Sequence, residues 1–196
     1  MKPGERMNPT FIYPLCFECG LCCNGVIFAR VELNPDDRRA GTALLNLVES
    51  AGIAHSAPEA GANVAKKSRR SPVVRQKFPQ PCVAFDGCRC RIYEDRPRYC
   101  REFECLLLRE VNAGKMERSA ALRVIRTARQ RADRVKRLFI ELGDDDEHVP
   151  LSLRFRRLKK RMESHPPDDD SLAEIFSRLT LAVHDLNLLL REAFYR

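Results

Sequence analysis

The sequence predicts a mainly α protein: a small irregular cysteine-rich domain with at most a short hairpin, followed by a C-terminal helical hairpin or small bundle. Three observations lead there. Apolar residues recur at three- and four-residue steps through most of the second half. All nine cysteines fall between positions 16 and 105. Stretches with strand character are few and short.

The elements follow in order. Residues 1–15 carry Pro3, Pro9 and Pro14 and are expected to be irregular. Next comes CFECGLCC, residues 16–23. After Gly25 the run VIFARVEL suits one short strand. Asn34-Pro35-Asp36-Asp37 has the form of a helix start, with an N-cap, a proline at the first helical position and acids in the first turn. Leu44, Leu45, Leu47 and Val48 give that helix an apolar stripe, and Gly52 is a stop signal. Residues 54–80, rich in Ala, Ser, Pro, Lys and Arg, form a predicted loop or insert. Asp86-Gly87 marks a turn in a small hairpin. Asp95 is placed to cap a helix that starts at Arg96-Pro97 and runs to Gly114.

The C-terminal part reads as three amphipathic helices. Leu122, Ile125, Ala128, Ala132, Val135, Leu138 and Leu142 define the first, closed by Gly143. An acidic turn, 144–147, leads to a basic helix over 151–163 that ends before Pro166-Pro167. Ser171 with Glu174 is a capping box for the last. Its face carries Leu172, Ile175, Phe176, Leu179, Val183, Leu186, Leu190 and Phe194. Short links predict antiparallel packing.

At 196 residues the chain can bury a core without covalent staples. It has no run of about 18 apolar residues, so no membrane span is expected. The first twenty residues lack an apolar h-region, so the expected location is the cytoplasm, where thiols stay reduced. Nine is also an odd number, so disulfides could not pair every cysteine. Metal ligation is the leading explanation.

Cys16-x2-Cys19-x2-Cys22 places three thiolates on one short loop, where two intervening residues let the chain curl so that neighbouring sulfurs converge on one centre. Gly20 frees the backbone for that curl. Cys23 follows directly; adjacent side chains diverge, so it is expected to serve a second centre or to close the site from another side. The spacing is not C-x3-C-x2-C, so radical S-adenosylmethionine chemistry is not supported. The second group supplies Cys82, Cys88, Cys90, Cys100 and Cys105. None of His55, His148, His165 or His184 adjoins either group, and all-sulfur ligation points to an iron–sulfur cluster or zinc. Eight cysteines suit two four-thiolate centres, or one centre and some structural thiols. The rival explanations are small buried hydrophobes and the disulfides of an exported protein. The density of the two groups weighs against both.

CFECGLCC, then PC, then CRIYEDRPRYCREFEC resembles the CxxCxxCC family of zinc- or iron-chelating proteins, also called YkgJ-type cysteine cluster proteins. The resemblance spans roughly residues 16–105. Carried over residue by residue, it implies Cys16, Cys19, Cys22, Cys23, Cys82, Cys90, Cys100 and Cys105 as metal ligands and leaves Cys88 as the spare thiol. A similar cysteine cluster occurs in flagellin lysine methylases, where an iron–sulfur centre is the family expectation. This chain is too short for that whole enzyme, so the activity is not carried over. The CxxCxxC portion also resembles bacterial ferredoxin loops without their C-x3-C-P ending, which favours iron–sulfur over zinc.

Arg96 and Arg101 are candidates to donate hydrogen bonds to thiolates or offset the charge of a centre. Ion pairing with Glu94, Asp95 or Glu102 is the alternative. Between Arg118 and Arg161, fourteen Lys and Arg stand against six Asp and Glu, which accounts for the whole net charge of +8. Phosphate binding by a nucleic acid is one reading of that excess. A solvated helix face, partly offset by the acidic turn, is the favoured one. No glycine-rich phosphate loop, serine nucleophile motif or H-E-x-x-H is present, so no catalytic residue is assigned. The expected organisation is a cysteine-cluster metal-binding domain over 1–115 and a basic helical extension over 116–196. Its expected roles are electron transfer, metal handling or an accessory part in protein modification. A structural zinc module whose basic helices bind a protein or nucleic-acid partner is the alternative.

Overall fold

The computed structural model describes residues 12–50, 77–87, 89–165 and 169–195. Among them are seven helices and one two-stranded antiparallel sheet, the mainly α architecture that the sequence predicts. The order is α1 (Ile12–Cys19), β1 (Arg30–Glu32), α2 (Arg38–Ser50), β2 (Lys77–Pro79), α3 (Arg98–Glu102) and α4 (Leu106–Asn112), then α5 (Arg118–Glu141), α6 (Leu151–Ser164) and α7 (Asp170–Ala193).

The long helices follow their periodicity. α5 buries Ala121, Ile125, Ala128, Ala132, Val135 and Leu138, and α7 buries Leu179, Ala182, Leu186 and Leu190. They run antiparallel: Arg131 of α5 donates to the Asp185 carbonyl, whereas Glu141, further along α5, pairs with Arg178, earlier in α7. Alanines at 128 and 132 on α5 and 182 on α7 are fully covered, and their small size lets helix backbones approach. α6 contributes Leu151 and Leu158 to the same core. Gly143 has φ +75° and closes α5 as predicted. The last helix starts differently. Asp169 is the N-cap and its carboxylate accepts from the Ser171 N–H at 2.8 Å, so Ser171 lies inside the first turn and no Ser171–Glu174 box forms. Pro166 and Pro167 lie outside the described residues.

The first half departs further from the sequence reading. The segment expected to be irregular is helical from Ile12, with Pro14 in the first turn, where its missing N–H costs nothing. Of VIFARVEL, only Arg30–Glu32 is a strand, paired Arg30↔Pro79, Val31↔Phe78 and Glu32↔Lys77. Residues 24–27 bond locally instead. The Asn24 N–H donates to Gly20 O, the Ile27 N–H to Leu21 O, and the Val26 N–H to the Asn24 side chain. Residues 77–79, assigned to the loop, form β2, while Gly52 and 54–76 lie outside the described residues. α2 begins at Arg38, three residues later than Asn34-Pro35 suggested, because the Asp37 N–H is spent on the Asn34 carbonyl in a turn. The single helix expected from Arg96 to Gly114 splits into α3 and α4. Phe103 turns extended, and its ring packs edge-on against Phe28 at 4.6 Å. Asp95 caps neither piece; Pro97 occupies the N-cap position of α3. The Asp86-Gly87 turn is present, closed by one bridge between Phe85 and Cys90.

Leu15, Leu21, Leu107 and Leu108 share one core with α5, α6 and α7. Leu33, Leu44, Phe78 and Ala84 form a second, smaller cluster around the hairpin and α2. No helix among the described residues is long and apolar enough to cross a membrane.

Candidate metal centre

Three local devices bring the cysteines together. Cys16 and Cys19 are three residues apart on α1 and therefore share one face, rather than lying on an open loop. Gly20, at φ +64°, ends the helix and donates its N–H to the Cys16 carbonyl. Its own carbonyl takes the Cys23 and Asn24 N–H groups, which folds Cys22 and Cys23 back over the helix end. The Cys82 N–H donates to the Cys23 carbonyl at 2.7 Å, which ties the second cysteine group to the first. Cys90 follows through the turn that Asp86 closes, where the Asp86 side chain accepts from the Arg89 N–H at 2.6 Å. Cys100 rides on α3. Cys105 is the N-cap of α4, and its sulfur accepts from the Leu108 N–H at 3.4 Å.

These eight cysteines line one cavity, with Leu15, Leu21, Phe85 and other apolar side chains between them. Cys88 lies outside the described residues. No histidine, aspartate or glutamate lines the cavity among the described residues, and Arg96 is its one charged side chain there. Gly20 fixes how closely the two groups approach: a Cβ there would stand 2.7 Å from the Phe85 ring. Gly20→Ala is therefore expected to cost about 1–3 kcal/mol, from the left-handed backbone and the displaced ring together. Thermal unfolding, with metal content measured in parallel, checks this.

The cavity disfavours free thiolates. Burial pushes the Cys16 thiol up to about 11, with a smaller push from Cys105. Burial raises Cys19 and Cys100 to about 12. Cys22 and Cys23 rise further, by burial first and then by the neighbouring cysteines. Cys82, Cys90 and Cys105 rise for the same leading reason. Eight thiols in a pocket that resists their ionisation are in a place where a metal cation would supply the missing charge.

The cationic side chains divide. Arg96 lies with its guanidinium 3.9 Å over the Tyr93 ring and lowers the thiol pKa values of Cys16, Cys90 and Cys100 against the burial. Its Nε is buried without a hydrogen-bond partner. Arg101 is directed elsewhere: it donates to the Arg96 carbonyl at 2.9 Å and stands 3.9 Å from Asp37. Of the acids weighed as ion partners, Glu102 pairs with Arg98 instead.

Two residues of the site were missed in the sequence. Asp37, read as a helix-start charge, is 7% exposed, and its carboxylate accepts from the N–H groups of Asn34 and Arg98. It thereby fixes α3, and Cys100 with it, across 61 positions of sequence. No local signal marks so distant a partner. Arg109 lowers the thiol pKa of Cys105, and its Nε is likewise buried without a partner. Its position four residues after Cys105 on a helical stretch was the available clue.

The donor chemistry, eight thiols with no imidazole or carboxylate among the described lining residues, suits a thiolate-bound metal. A cavity of about 150 Å³ lies below the roughly 300–1,000 Å³ typical of organic-ligand pockets. Among the described residues, no three His, Cys, Asp or Glu side chains are gathered closely enough to hold a single ion.

A family model named CxxCxxCC, described as a “putative zinc- or iron-chelating domain”, matches residues 15–122, just over half of the chain. The match takes in both cysteine groups and reaches the first turn of α5. No curated protein and no solved structure matched significantly. All eight cysteines that line the cavity lie within the matched segment, and the chain belongs to the CxxCxxCC family of zinc- or iron-chelating domains.

Proposed function

We propose that this protein is an iron–sulfur protein that carries electrons in a reducing compartment, the cytoplasm, with cysteine thiolates as its metal ligands. One observation carries the reading: eight cysteines face one small cavity whose other lining is mostly apolar. All-sulfur donors suit zinc or iron–sulfur. The Cys16-x2-Cys19-x2-Cys22 spacing, similar to that of bacterial ferredoxin loops, favours the second.

When bound, such a cluster supplies one-electron redox chemistry. The chain's own part is to hold the sulfurs, exclude water with Leu15, Leu21 and Phe85, and place Arg96 and Arg109 where they offset negative charge. Metal and acid-labile sulfide analysis of anaerobically purified protein tests the proposal. Iron with matching sulfide and a brown absorbance that bleaches on reduction is expected. Stoichiometric zinc, without sulfide or colour, would overturn it and favour the structural zinc module that the family description equally admits.

A further inference from the structure

We propose that the cavity holds two four-thiolate centres: Cys16, Cys19, Cys22 and Cys105 form one, and Cys23, Cys82, Cys90 and Cys100 form the other. The Cys22–Cys23 peptide is their junction. This rests on the reading of the cavity as a metal site and assigns its ligands.

The packing separates the two sets. Cys19 and Cys105 lie against the main core, which includes Leu15, Leu21, Leu107 and Leu108. Cys82 and Cys90 lie against the other cluster, with Leu33, Phe78 and Ala84. The backbone divides them in the same way. α1 carries Cys16 and Cys19 and packs on α4, whose N-cap is Cys105. Cys82 and Cys90 are joined by the Phe85 turn, in which the Phe85 N–H donates to Cys82 O and Phe85 bridges to Cys90. Cys23 is bonded to Cys82 by the 2.7 Å main-chain contact, and α3, which carries Cys100, packs on β1 beside this group.

Cys22 follows Leu21, which is buried in the main core, whereas Cys23 carries the carbonyl that holds Cys82. Successive side chains leave the backbone in different directions, so one CC pair can serve two centres.

Metal per chain, measured on the full-length protein as purified anaerobically, tests the partition. Cys19→Ser, Cys105→Ser, Cys82→Ser and Cys100→Ser are each expected to remove about half of the bound metal. Cys19→Ser with Cys105→Ser should remove no more than either alone, whereas Cys19→Ser with Cys82→Ser should remove nearly all. The adjacent variants Cys22→Ser and Cys23→Ser perturb the same turn, yet each should combine non-additively with a different set. A single variant that releases all metal while its helical circular dichroism is retained would overturn the proposal. Where variants do not fold, native mass spectrometry of the wild type under graded chelation decides: a half-loaded species supports two centres, and a direct passage from full to empty overturns them. The pattern separates this proposal from the choice of metal. Zinc lost in halves would retain the partition and reject iron–sulfur; iron and sulfide lost all at once would do the reverse.

Discussion

Complete removal of metal from the loaded protein is expected to lower the melting temperature by about 10–20 °C, and to melt the cysteine half before the helical half. The magnitude follows from coupling. A site that is absent from the unfolded chain makes binding energy into folding energy, and several kcal/mol of that in a chain of this length shift the transition by that range. The order follows from what else holds each half. Around the second cysteine group are two strands of three residues, a helix of five, and a cluster of Leu33, Leu44, Phe78 and Ala84. Such short elements are not stable alone. α5 and α7 span 24 residues each and bury a continuous row from Ala121 to Leu138 against Leu179 to Leu190. Hydrogen exchange should therefore show amides of 82–91 and 98–105 losing protection on chelation while those of 125–138 and 179–190 keep theirs. A melting curve unchanged by complete removal would show that the metal is not structural.

Legibility in the sequence followed the range of the forces involved. α5 and α6 were visible nearly to their ends, because a buried stripe on a long helix writes a period of 3.6 into the chain. The cysteine half has no such period, since its backbone is shaped by single contacts. The Asn24–Ile27 turn displaced most of a strand, and Phe103 seated against Phe28 broke one expected helix into two. The ligand candidates could be named from spacing and family resemblance because sulfur chemistry is local. Their supports could not, since Asp37 acts on Arg98 and Gly20 abuts Phe85 only once the chain has folded. The basic helix shows the same limit. Arg154 falls within the basic stretch read as a solvated helix face, yet it is 2% exposed.

That burial makes Arg154 the source of the second large effect. Its Nε donates to the Asp144 carboxylate at 3.1 Å, its Nη2 donates to the Asp144 carbonyl, and its guanidinium lies 4.4 Å over the Phe139 ring. The acidic turn thus docks α6 onto the end of α5 through a charge removed from water. Breaking the pair from one side leaves the guanidinium desolvated without its counter-charge, so Asp144→Ala is expected to destabilise by about 3–5 kcal/mol. Arg154→Leu places an apolar side chain beside the Phe139 ring and strands only the carboxylate, which is 17% exposed and can recover water. It should cost less than Asp144→Ala. The double variant should be more stable than Asp144→Ala alone, because an apolar side chain in that position no longer needs a partner. Urea unfolding of the three variants, treated as a double-mutant cycle, reads the coupling directly. Additive losses would show that Arg154 is held by Phe139 and the Asp144 main chain, with the carboxylate contributing nothing. By contrast Arg157, 63% exposed beside Asp146 at 3.4 Å, should lose under about 1 kcal/mol as Arg157→Ala. The same turn therefore holds two ion pairs whose strengths differ with their access to water, a difference their sequence spacing does not show.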